Sequence, residues 1–281
     1  MRTKWLVLSY LSLLASSNIV AQSSQLIDAG GHKLEVQVSG SGRPIVVFEN
    51  GFGNTLSVWR EVVSLVEQYA TTVTYSRAGY PGSEEGPLPR TNLQLNTELQ
   101  TILRNLELEP PYLLVGHSLG GLLARSYYSY FPDDVSGMVL VDSAHEHQFL
   151  SLLELDSNYD PWEEGYEMIE SRTDASENMK GEIRNFLEIS KVGTLSNERE
   201  LENIPLYVLT SGQIIENDPT PMGTADGKRI SIDLHSEFME RVTDGGHIIT
   251  LESDHFIQLS EPGLVDWSIQ RVVNSIRNSS R

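Results

Sequence analysis

The 281-residue chain contains no cysteine. That absence excludes a disulfide framework and a lipid-attachment thiol, so stability outside a cytoplasm would rest on packing alone. Basic residues are scarce, 20 against 39 acidic ones, for a formal charge of -19. A field of that sign repels nucleic acid and anionic membranes and removes both from the expected partners. No later stretch approaches the roughly 20 apolar residues of a membrane span. Internal repeats and low-complexity tracts are also lacking, and 39% hydrophobic with 21% charged residues describes an ordinary globular protein.

What is present begins with a targeting pattern. Arg2 and Lys4 form a basic start, Trp5 to Ala15 is mostly apolar, and Ile19-Val20-Ala21 has the form of a small-residue cleavage site. This predicts a signal peptide over 1–21, a mature chain beginning at Gln22, no stable membrane insertion after cleavage, and a secreted or periplasmic, bacterial-like setting. An uncleaved anchor is the alternative, disfavoured by the short, serine-rich apolar run.

Gln25 to Asp28 and Lys33 to Val38 flank Gly30-Gly31 and predict an antiparallel hairpin. Ile45 to Phe48, Thr72 to Tyr75, Tyr112 to Val115 and Val135 to Val141 are continuous apolar runs, as expected for strands buried on both faces. Helical spacing appears over Val58 to Tyr69, Thr91 to Leu106 and Leu119 to Tyr130, the second ending before Pro110-Pro111. Alternating strands and helices predict an α/β fold with a doubly wound, mostly parallel sheet.

His145 to Asn203 breaks the alternation with 15 acidic and 5 basic residues and helix-like apolar groups such as Ile183, Phe186 and Leu187. A helical cap inserted over the sheet is expected at about 144–203, between core segments at about 25–143 and 204–281. The core resumes with a strand at Pro205 to Thr210, a helix from about Ile232 to Val242, a strand at His247 to Leu251 and a helix at Pro262 to Ile276.

Gly116-His117-Ser118-Leu119-Gly120 follows a predicted strand and opens a predicted helix. Small residues two places either side of Ser118 allow a sharp reversal that projects its hydroxyl above the sheet, while the helix N-terminus faces developing negative charge. This resembles the nucleophile elbow of the α/β-hydrolase family. Asn50-Gly51-Phe52-Gly53 is similar to the family's oxyanion loop, with asparagine in the usual histidine place. Ser76-Arg77-Ala78-Gly79-Tyr80-Pro81-Gly82-Ser83 is similar to its Asp-Arg-x-Gly-x-Gly-x-Ser turn, with Ser76 in place of the acid and a changed spacing.

The resemblance runs from about Gln25 to the end and implies an α/β-hydrolase sheet with Ser118 as nucleophile, Phe52 and Leu119 as oxyanion-hole amides, and His255 as base. A serine hydroxyl needs such a base, and the expected order is serine, acid, histidine. Asp142, at the end of the Val135 to Val141 strand, is the favoured acid; Asp218 and Glu216, after the next strand, remain the alternatives.

The expected reaction is hydrolysis of an ester-type small-molecule acyl substrate through an acyl-enzyme, without cofactor. Amidase, lactonase and acyltransferase chemistry stay open, as does a non-catalytic ligand-binding role. No His-x-x-x-His pair or matching carboxylate cluster suggests a metal site. Phe149, Leu152, Leu153, Trp162, Tyr166 and Met168 either wall the acyl pocket or pack the cap, and packing is favoured for most of them.

Overall fold

A computed structural model describes residues 23–201, 204–218 and 220–279. The expected leader at 1–21 lies outside them. Eight strands form one sheet: β1 (Gln25–Asp28), β2 (Lys33–Ser39), β3 (Ile45–Glu49), β4 (Thr71–Tyr75), β5 (Tyr112–His117), β6 (Val135–Val141), β7 (Leu206–Ser211) and β8 (Gly245–Thr250). Their spatial order is β1-β2-β4-β3-β5-β6-β7-β8. β1 and β2 pair antiparallel around the Gly30-Gly31 turn, and β2 is antiparallel to β4. The remaining pairs are parallel.

Strand residues alternate between two apolar layers, which is why the central strands read as unbroken apolar runs. Val47, Leu114, Met138, Leu140 and Val208 pack under α2 (Asn92–Asn105) and α3 (Leu119–Tyr130). Phe48, Leu113, Val115, Val139 and Leu209 face the other way, against α1 (Arg60–Val66) and α9 (Pro262–Ser279). Burying a large apolar side chain contributes about 1.5–3 kcal/mol, so this double layer dominates the stabilisation of the sheet.

Between β6 and β7 the chain leaves the sheet for α4 (Gln148–Leu155), α5 (Pro161–Ser171) and α6 (Glu177–Val192). Asp160 caps α5 by accepting from the Trp162 and Glu163 amides, and Ser176 caps α6 by accepting from Met179. Phe186 of α6 packs with Leu95, Leu119, Leu122 and Leu123, seating the excursion on α2 and α3.

Two helices differ from the sequence reading. Leu56–Trp59 is a 3-10 turn leading into the shorter α1. The helix expected from about Ile232 to Val242 is α7 (Ala225–Glu237). It starts early because Thr224 Oγ1 accepts from the Gly227 amide, a cap preceding a polar first turn with no apolar periodicity to reveal it. A short α8 (Ile257–Ser260) precedes α9. No described helix is long and apolar enough to cross a membrane.

Candidate active site

β5 ends at His117 and α3 begins at Leu119, leaving Ser118 alone at the reversal with φ 53° and ψ -124°. A non-glycine residue at positive φ is strained, and surrounding contacts hold it. The Ser118 amide donates to the Val141 carbonyl at 3.2 Å, and the Ala144 amide donates to the Ser118 carbonyl at 2.9 Å. Glycine is needed on both sides: a Cβ on Gly116 would lie 2.5 Å from the Gly120 carbonyl oxygen, and one on Gly120 would lie 2.3 Å from the Glu49 oxygen. The turn is therefore too tight for any side chain at either position.

His255 sits between β8 and α8. Its Nδ1 lies 2.7 Å from Asp142 Oδ2, while Asp142 Oδ1 accepts from the Ser211 amide at 2.9 Å. Asp142 follows β6 and also adopts positive φ, 42°. Burial works to raise its carboxyl, but the hydrogen bond and charge of His255, the charge of His235 and the Ser211 amide outweigh it. The carboxyl is held below the usual carboxylate range, as an anionic partner for an imidazolium requires. With Nδ1 engaged, the other ring nitrogen of His255 is left for the pocket that Ser118 also lines.

The structure brings the remaining sequence candidates together unevenly. A Cβ on Gly51 would lie 3.1 Å from Ser118 Cβ, so the loop carrying Phe52 packs directly on the serine. Asn50 Nδ2 donates to the Tyr75 carbonyl at 2.5 Å, and Arg77 Nη1 donates to the Asn50 carbonyl at 2.7 Å. These bonds brace the loop in the absence of the usual histidine. Leu119 supplies the first amide of α3, where the helix dipole favours negative charge. Asp218 lines the same pocket, but its Oδ1 accepts from the Thr220 amide and hydroxyl, both at 2.8 Å; Glu216 is exposed. Neither bonds His255.

The pocket has a volume of about 420 Å³. Phe149, Met168, Ile183, Phe186 and Leu187 from α4–α6 give it an apolar wall. Of the six apolar positions singled out in the sequence, Phe149 and Met168 line it, whereas Leu152 is buried, Leu153 is half-buried, and Trp162 and Tyr166 pack around Ile169, Ile183 and Leu187.

Two histidines matter more than their sequence positions suggest. His117 Nε2 lies 2.9 Å from the His255 carbonyl oxygen. Burial first, then the neighbouring His255, pushes the His117 ring down to about 3, so it is neutral at ordinary pH. His235 is buried between the Ser143 carbonyl, 2.7 Å from its Nε2, and Thr210 Oγ1, 2.6 Å from its Nδ1. It braces the residue after Asp142. The place of His117 inside the elbow motif is its signal in the sequence, although the contact it makes is not; nothing in the sequence near His235 marks it.

Arg77 is fully enclosed. Its Nε donates to both carboxylate oxygens of Glu182 at 3.0 and 3.1 Å, Nη2 donates to the Gly51 carbonyl at 3.4 Å, and Glu49 Oε2 lies 3.6 Å from Nη1. One guanidinium thus ties the Asn50-Gly51 loop to α6.

With that geometry in view, comparison with known proteins is decisive for the family. A family model described as the alpha/beta hydrolase fold matches residues 44–184. The chain belongs to this family. It is a hydrolase of the α/β-hydrolase superfamily.

The uncharacterized protein YqjL of Bacillus subtilis is 28% identical over 233 residues, covering 83% of this chain and 85% of that protein. A human (lyso)-N-acylphosphatidylethanolamine lipase is 31% identical over 104 residues, 36% of this chain and 30% of the lipase. Among solved structures, a mutant epoxide hydrolase from Bacillus megaterium superposes with a TM-score of 0.69 at 17% identity, covering 89% of this chain and 100% of that one. A thermophilic esterase from Thermogutta terrifontis gives 0.64 at 15% identity, covering 90% and 99%. At such identities the structural likeness speaks for the fold alone.

Proposed function

We propose that this hydrolase cleaves an ester-type small-molecule acyl substrate through an acyl-enzyme on Ser118. The observation that carries the reading is the convergence of Ser118, and of His255 paired to Asp142 at 2.7 Å, on one apolar pocket. His255 takes the Ser118 proton as Oγ attacks the carbonyl carbon, and Asp142 stabilises the resulting imidazolium. The amides of Phe52 and Leu119 receive the oxyanion, an interaction worth a few kcal/mol in the transition state. The C–O bond to the leaving alcohol breaks as His255 returns the proton. Water, deprotonated by the same ring, then releases the acid.

Serine at the elbow, in place of aspartate, favours acyl transfer over the chemistry of the epoxide-hydrolase branch. The apolar wall built by α4–α6 suits an acyl chain. Reading 1–21 as a leader, we place the mature enzyme in a periplasmic or secreted setting, which N-terminal sequencing of exported protein would test. Ser118→Ala is expected to abolish hydrolysis of a short-chain aryl ester and labelling by a fluorophosphonate probe; an unchanged rate overturns the assignment. A folded wild-type chain that neither labels nor turns over would instead be a ligand-binding member of the family.

A further inference from the structure

A second cavity, of about 390 Å³, opens where the chain leaves β6 for α4. His145, His147 and Glu237 line it, and their ligating atoms lie within 4.8 Å of one another. They come from two segments some ninety residues apart: His145 and His147 precede α4, and Glu237 is the last residue of α7. We propose that these three side chains form a binding site for a divalent transition-metal ion of the Zn²⁺ type, pinning the start of the helical excursion to the end of α7.

The donor set fits such an ion. Two imidazoles and one carboxylate suit borderline cations, and three protein ligands leave a fourth position toward the cavity for water. Bonds of about 2.0–2.2 Å in a tetrahedral arrangement require ligand atoms a little over 3 Å apart. His145 Nε2 and Glu237 Oε2 already lie 3.9 Å apart. His147 and Glu237 are exposed and can turn to close the remaining gap, whereas His145 is buried and preoriented, its ring stacked on Phe238 with centroids 5.0 Å apart.

The charge of the cavity agrees with this assignment. Four carboxylates line the cavity, those of Glu146, Glu198, Glu200 and Glu237, against the guanidiniums of Arg125 and Arg199. Nδ1 of His145 accepts from the His147 amide at 3.1 Å, which places the ring proton on Nε2. A metal at Nε2 takes that position, and with the ring proton moved to Nδ1 the bond from the His147 amide is given up, so metal binding shifts the 145–147 turn.

The consequence reaches the pocket. Between Asp142 and the two histidines run Ser143, whose carbonyl is held by His235, and Ala144, whose amide is bonded to Ser118. A metal joining His145 and His147 to Glu237 fixes the far end of that stretch.

The test uses the full chain without a histidine tag, stripped by chelator and titrated with ZnCl₂ by calorimetry. One Zn²⁺ per chain is expected, with affinity lowered at least tenfold in His147→Ala and in Glu237→Gln. Both positions are exposed, and His147 makes no side-chain capping bond, so both variants should remain folded. Co²⁺ in place of Zn²⁺ should give visible absorption that the same variants lose. Absence of stoichiometric Zn²⁺ binding, or equal affinity in wild type and both variants, overturns the site.

Discussion

His117 Nε2 lies 2.9 Å from the carbonyl oxygen of His255, so the side chain immediately before the candidate nucleophile holds the backbone of the candidate base. Because burial keeps the His117 ring neutral, it carries one N–H, and that N–H donates from Nε2 to the carbonyl. Its Nδ1 has no hydrogen-bond partner and faces Gly51, where a Cβ would come within 2.7 Å. The ring therefore acts as a spacer between the Gly51 loop and the His255 loop.

Removing that donor should misplace the candidate base without emptying the pocket. His117→Leu is expected to lower kcat roughly tenfold, the equivalent of about 1.4 kcal/mol in the barrier, with little change in KM. His117→Gln, which can still donate, should recover part of the loss. A change in KM alone, with no recovery by glutamine, would make the residue merely structural.

The acid has two candidates in one pocket, and their hydrogen bonds separate them. Asp142 bonds His255, while Asp218 is occupied by Thr220. Asp142→Asn should cost about 10³–10⁴ in kcat by favouring the wrong histidine tautomer, as the same change does in known serine triads. Asp218→Asn should stay within a few-fold. Steady-state hydrolysis of an aryl ester by the two variants decides, and the reverse pattern would transfer the role to Asp218.

The sheet and the elbow were legible because their signals are local. Tyr112 to Val115 is unbroken and apolar because both faces are covered, and Gly116 and Gly120 flank Ser118 because the turn admits nothing larger. His255 and Asp142 followed from chain order, and the structure pairs them. What escaped depends on contacts across the chain. His117 meets a carbonyl 138 positions away, and Arg77 meets a carboxylate 105 positions away. No periodicity encodes either meeting, since each arises only once strand register has been set. The same holds for His145, His147 and Glu237, whose sequence spacing resembles no metal motif.

Arg77 and Glu182 join the Asn50-Gly51 loop to α6 through a buried ion pair. Taking away one partner of such a pair typically costs about 3–5 kcal/mol, because the other charge stays buried. Glu182→Ala is expected to destabilise the fold by that order, read from urea unfolding, since Glu49 at 3.6 Å is a weak substitute. Glu182→Gln, which keeps an acceptor, should cost less. A loss below about 1 kcal/mol in the alanine variant would mean that Arg77 does not depend on α6.

Acid stability follows from three buried groups whose effects oppose one another. Burial lowers His117 and His145 from 6.5 to about 3, so between those values each binds a proton when unfolded and none when folded. Glu49 does the reverse: burial raises it from 4.5 to about 7 against the pull of Arg77 and Tyr75, so it is protonated only in the folded chain over much of that range. From pH 6.5 down to 4.5 the unfolded state thus binds about one proton more, and stability should fall by ~1.4 kcal/mol per pH unit. His235 and His247 are lowered by burial as well and add to the fall. Above 6.5 the sign changes, because only Glu49 still differs and its contribution is lost as pH rises through about 7. Urea unfolding at pH 5.0 and 6.5 should show a loss of about 2 kcal/mol or more at the lower pH, and Glu49→Gln should steepen it. A flat or rising profile toward acid would mean that the two histidines are already protonated in the folded chain.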